Sequence, residues 1–88
     1  MKIKGSFILK KLAGDHIVVP VGSSTVDLNA VITLNETGAF LWEKLNTDST
    51  EEALADALCK EFDVAGNTAL SDVRDFTDMM RKAGVLEE

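Results

Sequence analysis

The side chains that most often carry out catalysis or bind metals are scarce in this sequence. His16 is the only histidine and Cys59 is the only cysteine. A nucleophile needs a neighbouring base and a zinc site needs three or four ligands, so neither residue has the partners that such chemistry requires. The acidic residues fall on polar helix faces, and the sequence contains no glycine-rich phosphate loop. We therefore predict that the protein is not an enzyme, with no catalytic residues, no metal and no other cofactor.

The length and composition predict one small domain. Residues 1–88 are 45% hydrophobic, which suffices for a packed core and is too high for a disordered chain. A single cysteine cannot form an internal disulfide. No apolar stretch resembles a signal peptide or approaches the roughly 20 residues of a membrane-spanning helix. We therefore expect a cytoplasmic protein with no membrane partner.

The charge distribution argues against nucleic acid as a partner. Residues 1–12 carry four lysines and no acid, whereas the rest of the chain carries fifteen acidic and five basic side chains, which gives a net charge of −6. An acidic body repels polyphosphate. The helix predicted over residues 68–83 has three acidic and three basic residues, so it lacks the excess of positive charge that a DNA-recognition helix needs.

The predicted elements are a small sheet followed by three helices. Residues 6–12 and 16–21 have the composition of strands and flank a turn signal at residues 13–15, which predicts a hairpin. The uncharged run at residues 31–34 predicts a further strand. Val26–Leu28 could form another, so the sequence leaves open whether the sheet has three strands or four. Helices are predicted over residues 35–46, from Ser49 or Thr50 to Phe62, and over residues 68–83. These parts are typical of an α+β, winged-helix-like domain.

The transition from the last strand to the first helix has the clearest local pattern. Asn35 is a good N-cap because its side-chain oxygen can accept a hydrogen bond from an unpaired amide of the first helical turn. Gly38, Leu41, Trp42 and Leu45 follow at the spacing of one helical stripe. We therefore expect Trp42, the only tryptophan, to pack at this junction.

One edge of the predicted sheet lacks protection against pairing with another chain. Lys10 and Lys11 discourage such pairing at the first strand, but Ala30–Leu34 contains no charge and no proline. Such an edge is either covered by the protein itself or accepts a partner strand. The neighbouring third helix has an apolar stripe of Val73, Phe76, Met79 and Met80, flanked by Arg74, Thr77 and Arg81.

Several short segments resemble those of one protein family. The sequence from Ile32 to Leu45 resembles the "LNETGAxxWxxL" hallmark of the PqqD family, which is named for pyrroloquinoline-quinone biosynthesis protein D. Further similar segments follow in the family's order: Ser49–Leu54, Glu61–Val64, Asp72–Phe76 and Gly84–Leu86. The similarity covers residues 27–88. Five short motifs in the same order and spacing are a specific signal, although any one of them would be weak.

The resemblance implies a peptide-binding module rather than a catalyst. In such modules a three-stranded antiparallel sheet packs on three helices. The leader segment of a ribosomally synthesised precursor peptide adds to the third strand, beside the third helix, and the module presents the peptide to a modifying enzyme, typically a radical S-adenosylmethionine (radical SAM) enzyme. Carried over position by position, the resemblance implies these peptide-binding residues: Val31, Ile32, Thr33, Leu34, Val73, Arg74, Thr77, Met80 and Arg81.

The sequence departs from the family pattern at Thr77 and at Gly66-Asn67. Thr77 stands where relatives often have a larger apolar residue, which predicts a shallower or more polar pocket. Gly66-Asn67 replaces the acidic, proline-containing helix starts of relatives, so we expect the third helix to begin later, at about Thr68.

Two other interpretations remain open at the level of sequence. The first is a winged-helix DNA-binding domain, which the charge of the third helix disfavours. The second is a self-associating structural or regulatory domain, in which the open edge at residues 31–34 pairs with its own copy in a two-fold homodimer.

Overall fold

The computed structural model describes residues 1–5, 7–20 and 32–87. Its elements, in chain order, are β1 (Lys2–Ile3), β2 (Phe7–Leu12), β3 (Asp15–Pro20), β4 (Ile32–Leu34), α1 (Glu36–Lys44), α2 (Glu51–Phe62), α3 (Gly66–Ala83) and β5 (Leu86–Glu87). The predicted strand at Val26–Leu28 and the predicted strand residue Val31 lie outside the described residues.

Within residues 1–5, 7–20 and 32–87, the larger sheet has three antiparallel strands in the order β2-β3-β4. Its hairpin turns at Ala13 and Gly14, which both have positive φ, at 52° and 86°. Such a two-residue turn matches the twist of the strands it joins, and the second position suits glycine because glycine has no Cβ. Ile17 of β3 pairs with Thr33 of β4. The three-stranded sheet followed by three helices confirms the predicted α+β fold class.

A second, two-stranded sheet joins the two ends of the chain. Ile3 of β1 pairs with Leu86 of β5, and the Ile3 amide also donates to the carbonyl oxygen of Leu45 at 2.8 Å. The amino-terminal ammonium group lies 2.6 Å from the Asp48 carboxylate and lowers the pKa of that carboxyl, chiefly by donating a hydrogen bond to it. The sequence did not predict this sheet, because strands of two residues are too short to show any periodicity.

Hydrogen bonds at the helix ends place the three helices close to their predicted bounds. Thr50, rather than Ser49, caps α2 by accepting from the amide of Ala53 at 3.1 Å. Gly84 ends α3 in the left-handed conformation, with φ of 75°, as expected of a C′ glycine.

The expected late start of α3 is wrong. The helix begins at Gly66, two residues before Thr68. Its N-cap residue is Ala65, whose carbonyl oxygen accepts the first helical hydrogen bond, from the amide of Ala69, at 2.9 Å. The prediction followed the polar side chains that usually cap helices, whereas here the backbone starts the helix without a side-chain cap.

The core lies where the three helices meet the sheet. Trp42, in the second half of α1, is buried in this core. Its buried companions come from every layer of the fold: Ile3, Val18, Leu34, Leu41, Leu45, Leu54, Leu58, Val73, Phe76, Met80, Val85 and Leu86. Among the described residues, no helix combines the length and the apolar character needed to cross a membrane.

The cap of α1 gives a direct test of the junction. The Asn35 side-chain oxygen accepts from the Gly38 amide at 2.8 Å and from the Thr37 hydroxyl at 2.9 Å. We expect Asn35→Ala to lower the free energy of unfolding by about 1 kcal/mol, because the amide loses its acceptor. For a domain of this size the midpoint of thermal unfolding should fall by about 4–8 °C.

The matched control is Asn35→Asp, which keeps an acceptor at the same place and should unfold close to the wild type. Calorimetry or circular dichroism measures all three proteins. An Asn35→Ala variant as stable as the wild type would show that this cap does not hold the junction.

Candidate functional site

Strand β4 forms one edge of the three-stranded sheet. Within the described part of the chain it pairs with β3 alone, through His16–Leu34, Ile17–Thr33 and Val18–Ile32. Thr33 is exposed, Ile32 is half-buried and Leu34 is buried, so the two apolar residues anchor the strand to the core. In an antiparallel pair, amides and carbonyls that do not face the partner point away from it. The other side of β4 therefore has backbone groups that pair with no other described strand.

A cleft of about 700 Å³ lies between this strand and α3. Residues of four elements or their flanks line it: Asp15, Thr33, Leu34, Asn35, Thr37, Gly38, Leu41, Asp72, Asp75, Phe76 and Met79. The apolar part of the lining combines the buried side chains of Leu34, Leu41 and Phe76 with Met79, which is 41% exposed. A cleft of this size with an apolar lining is typical of ligand-binding sites.

The local sequence explains how the two walls approach each other. A Cβ atom built at Gly38 would lie 3.2 Å from the Asn35 side-chain oxygen and 3.3 Å from the Leu34 Cβ. Glycine at this position therefore lets the first turn of α1 pack directly on the end of β4. The strand passes into the helix at Asn35, and both elements contribute to the same wall of the cleft.

Comparisons with known proteins assign the chain to a family. A family model described as Coenzyme PQQ synthesis protein D (PqqD) matches residues 15–86. The chain belongs to the PqqD family. The resemblance of the sequence motifs is thereby confirmed, and no curated protein matches the chain.

Two solved structures have the same fold as this PqqD-family chain. One is TbiB1 in complex with the TbiA(beta) leader peptide, with 24% sequence identity, a TM-score of 0.75 and coverage of 99% of this chain and 95% of that chain. The other is lasso peptide synthetase B1 complexed with a leader peptide, with 15% identity, a TM-score of 0.74 and coverage of 99% and 96%. At these identities the similarity establishes the fold.

The structure brings only part of the predicted peptide-binding set to the cleft. Thr33 and Leu34 line it, and Ile32 belongs to the same strand, whereas Val31 lies outside the described residues. On α3, Val73, Thr77 and Met80 are fully buried, so they pack in the core and are not among the residues that line the cleft. Their burial follows from the position of the core stripe of the helix.

The two predicted arginines lie near α2 rather than in the cleft lining. Arg74 and Arg81 lie 3.5 Å and 3.7 Å from the Glu51 carboxylate, at the start of α2. Arg81 also contacts Asp78 at 3.1 Å. Thr77 donates its hydroxyl hydrogen bond to the carbonyl oxygen of Arg74 at 3.1 Å, so its polar atom is satisfied within the helix and does not make a polar pocket.

Sequence reasoning missed the face of α3 that does line the cleft. Asp72, Asp75, Phe76 and Met79 recur at spacings of three, one and three, which is one helical face beside the core stripe. That spacing is visible in the sequence. The sequence does not show which of the two adjacent faces points to the core, because Phe76 belongs to both faces and each face contains a methionine. Asp15 enters the site from the hairpin, which no local pattern indicates.

The residues first considered for catalysis lie apart from the cleft lining. His16 is half-buried in β3, and Cys59 is a free, half-buried thiol of α2 that packs against the core. No group of His, Cys, Asp and Glu residues in the described part of the chain is arranged to hold a metal ion.

Two neighbouring methionines distinguish the cleft face of α3 from its core face. Met80 is 0% exposed and Met79 is 41% exposed. We expect Met80→Ala to lower the free energy of unfolding by about 2–5 kcal/mol, because it leaves a cavity in the core. The matched change Met79→Ala should cost less than about 1 kcal/mol, because its side chain is already partly in water.

Urea denaturation of the two variants and the wild type measures the difference. Equal losses of stability, or a larger loss for Met79→Ala, would contradict this assignment of the two faces.

Proposed function

We propose that this PqqD-family chain is a non-catalytic module that binds the leader of a ribosomally synthesised precursor peptide. The observation that carries the proposal is the open edge of β4 beside a cleft lined by α3. The two solved structures of the same fold hold leader peptides, which supports the same class of partner here.

The leader binds by adding a strand to β4. Ile32–Leu34 spans about 10 Å, which suits a short ladder of main-chain hydrogen bonds. Main-chain pairing supplies affinity with little regard to sequence, whereas pockets for alternate side chains supply selectivity. In this proposal the antiparallel sheet β2-β3-β4 grows by one strand, and the guest lies between β4 and α3.

The apolar part of the cleft receives a side chain of the guest. Leu34, Leu41, Phe76 and Met79 form that part of the lining. Burial of one aliphatic or aromatic side chain there contributes about 1.5–3 kcal/mol to binding, if the side chain becomes fully covered. The partial exposure of Met79 suits this role, because methionine adapts its shape to different guests.

We propose that the chemistry is done by a partner enzyme, a radical SAM maturase, to which the module presents the bound peptide. The family resemblance supports this step. Precursor peptides are made by ribosomes, so the encounter belongs to the cytoplasm. Nucleic acid is disfavoured as a partner, because α3 has equal numbers of acidic and basic residues and the whole chain carries a net charge of −6.

Self-association is the second candidate, because the same open edge can pair with a copy of itself in a two-fold dimer. A concentration series in analytical ultracentrifugation distinguishes a monomer from a dimer. A dimer that dissociates when a leader peptide is added would combine the two functions, whereas a dimer unaffected by leader peptides would favour a structural role.

Amide shifts in a titration test the proposed site. Isotope-labelled protein is titrated with the leader segments of precursor peptides encoded next to its gene. We expect the shifts to cluster on residues 32–34 and on the cleft face of α3, residues 72–79. Perturbations confined to other surfaces, or none with any of these leaders, would contradict the proposal.

A substitution in β4 tests strand addition itself. Thr33→Pro should abolish leader binding, because proline removes an amide and restricts the strand. Thr33→Val is the matched control, since it keeps both the amide and a β-branched side chain at this exposed position, and it should bind as the wild type does. If Thr33→Pro does not fold, leaders carrying N-methyl groups at alternate residues replace it: one alternate set should lose binding and the other should not.

A further inference from the structure

The described lining of the cleft carries only one sign of charge. Asp15, Asp72 and Asp75 contribute three carboxylates, and no lysine or arginine is among the lining residues that the structure describes. These acids come from two separate elements, the start of β3 and the cleft face of α3. None of the three forms an ion pair or a side-chain hydrogen bond with another described residue.

Three basic side chains of α2 and α3 are paired away from the cleft lining. Arg74 and Arg81 lie against Glu51, and Lys60 pairs with Asp56 at 3.1 Å. The remaining basic residue of α3, Lys82, is exposed and is not among the described lining residues, so no described cation pairs with the carboxylates of the cleft. A guest in the cleft would enter a negative field that the net charge of −6 reinforces.

The acidic and apolar parts of the cleft follow each other along α3. Asp72 and Asp75 come first, and Phe76 and Met79 follow on the same face. These positions extend over about 10 Å of helix. Side chains on one face of an extended peptide recur about every 6.7 Å, because successive residues alternate between faces. Two consecutive inward-facing side chains of a guest therefore fit this wall, one beside the acids and one beside the apolar pair.

We infer that the cleft selects peptides in which a lysine or arginine lies two residues from an apolar residue, with both side chains facing α3. This inference rests on the proposed function and specifies its class of guest. The ammonium or guanidinium group pairs with the carboxylates of Asp72 and Asp75, and Asp15 adds to the field. The apolar side chain packs on Phe76 and Met79.

The expected effect of the charges is moderate and depends on salt. The carboxylates are exposed, so each ion pair should change the dissociation constant by about two- to fivefold, and removing both α3 acids by about tenfold. Salt screens such pairs, so affinity should fall as ionic strength rises.

Selection from a random peptide library tests this inference and does not require the natural leader. An mRNA-display library of peptides of about twelve residues is selected on the wild type, after removal of peptides that also bind Thr33→Pro. The same selection is run on the cleft variant Asp72→Asn/Asp75→Asn. The control variant Asp56→Asn/Glu61→Gln makes the same change of net charge on α2, outside the cleft lining.

We expect the wild type and the control variant to enrich peptides with a basic and an apolar residue two positions apart, and the cleft variant to lose the basic residue. A peptide selected on the wild type should bind the cleft variant about tenfold more weakly, with less dependence on salt. The control should stay within about twofold.

Two outcomes would overturn the inference while leaving the proposed function intact. One is selection of peptides that shift the β4 amides but show no basic preference. The other is an equal basic preference in the cleft and control variants, which would reflect net charge alone. If no selected peptide and no leader shifts residues 32–34, both the inference and the proposed function fail.

Discussion

The contact between the end of β4 and the first turn of α1 determines where the open strand edge lies. Asn35 caps the helix, and the absence of a side chain at Gly38 lets the turn pack on Leu34. A larger residue at position 38 would have to displace the cap or the strand. Because Leu41 and Trp42 of the same helix are buried, the core fixes the position of α1, and the strand is held with it. These contacts hold the edge in position before any guest binds, which lowers the entropic cost of binding.

Helix α3 serves stability and recognition on two adjacent faces. Val73, Thr77 and Met80 are buried in the core, whereas Asp72, Asp75 and Met79 face the cleft, and Phe76 contributes to both. Substitutions on the first face should change the free energy of unfolding, and those on the second should change the affinity for a guest. The face of α3 that stabilises the fold and the face that lines the cleft are therefore offset by one residue, which is a rotation of about 100° around the helix axis.

Much of the fold could be predicted from local sequence, because its signals are short-range. The Asn35 cap, the Gly84 end of α3 and the turn at Ala13-Gly14 are each encoded within a few residues. Long-range features could not be predicted in this way. Strands β1 and β5 are two residues long, too short to show a pattern, and their pairing joins residues more than 80 positions apart in the sequence. In the site, the strand edge was anticipated from its lack of charge and proline. On α3 the resemblance implies Val73, Thr77 and Met80, which lie one residue along from the face that lines the cleft, and the sequence does not separate the two faces because their apolar content is nearly the same.

Hydrogen exchange of the β4 amides measures whether a leader peptide pairs with this strand. An outward-pointing amide of Ile32–Leu34 has no partner strand among the described residues, so it should exchange fast in the free protein and slowly when a leader peptide is bound at saturation. Strand addition predicts that the leader slows the exchange of the outward-pointing amides, and that these alternate along β4 with amides whose exchange does not change. A saturated complex in which the exchange of β4 stays unchanged would contradict it, and would place the peptide on another surface.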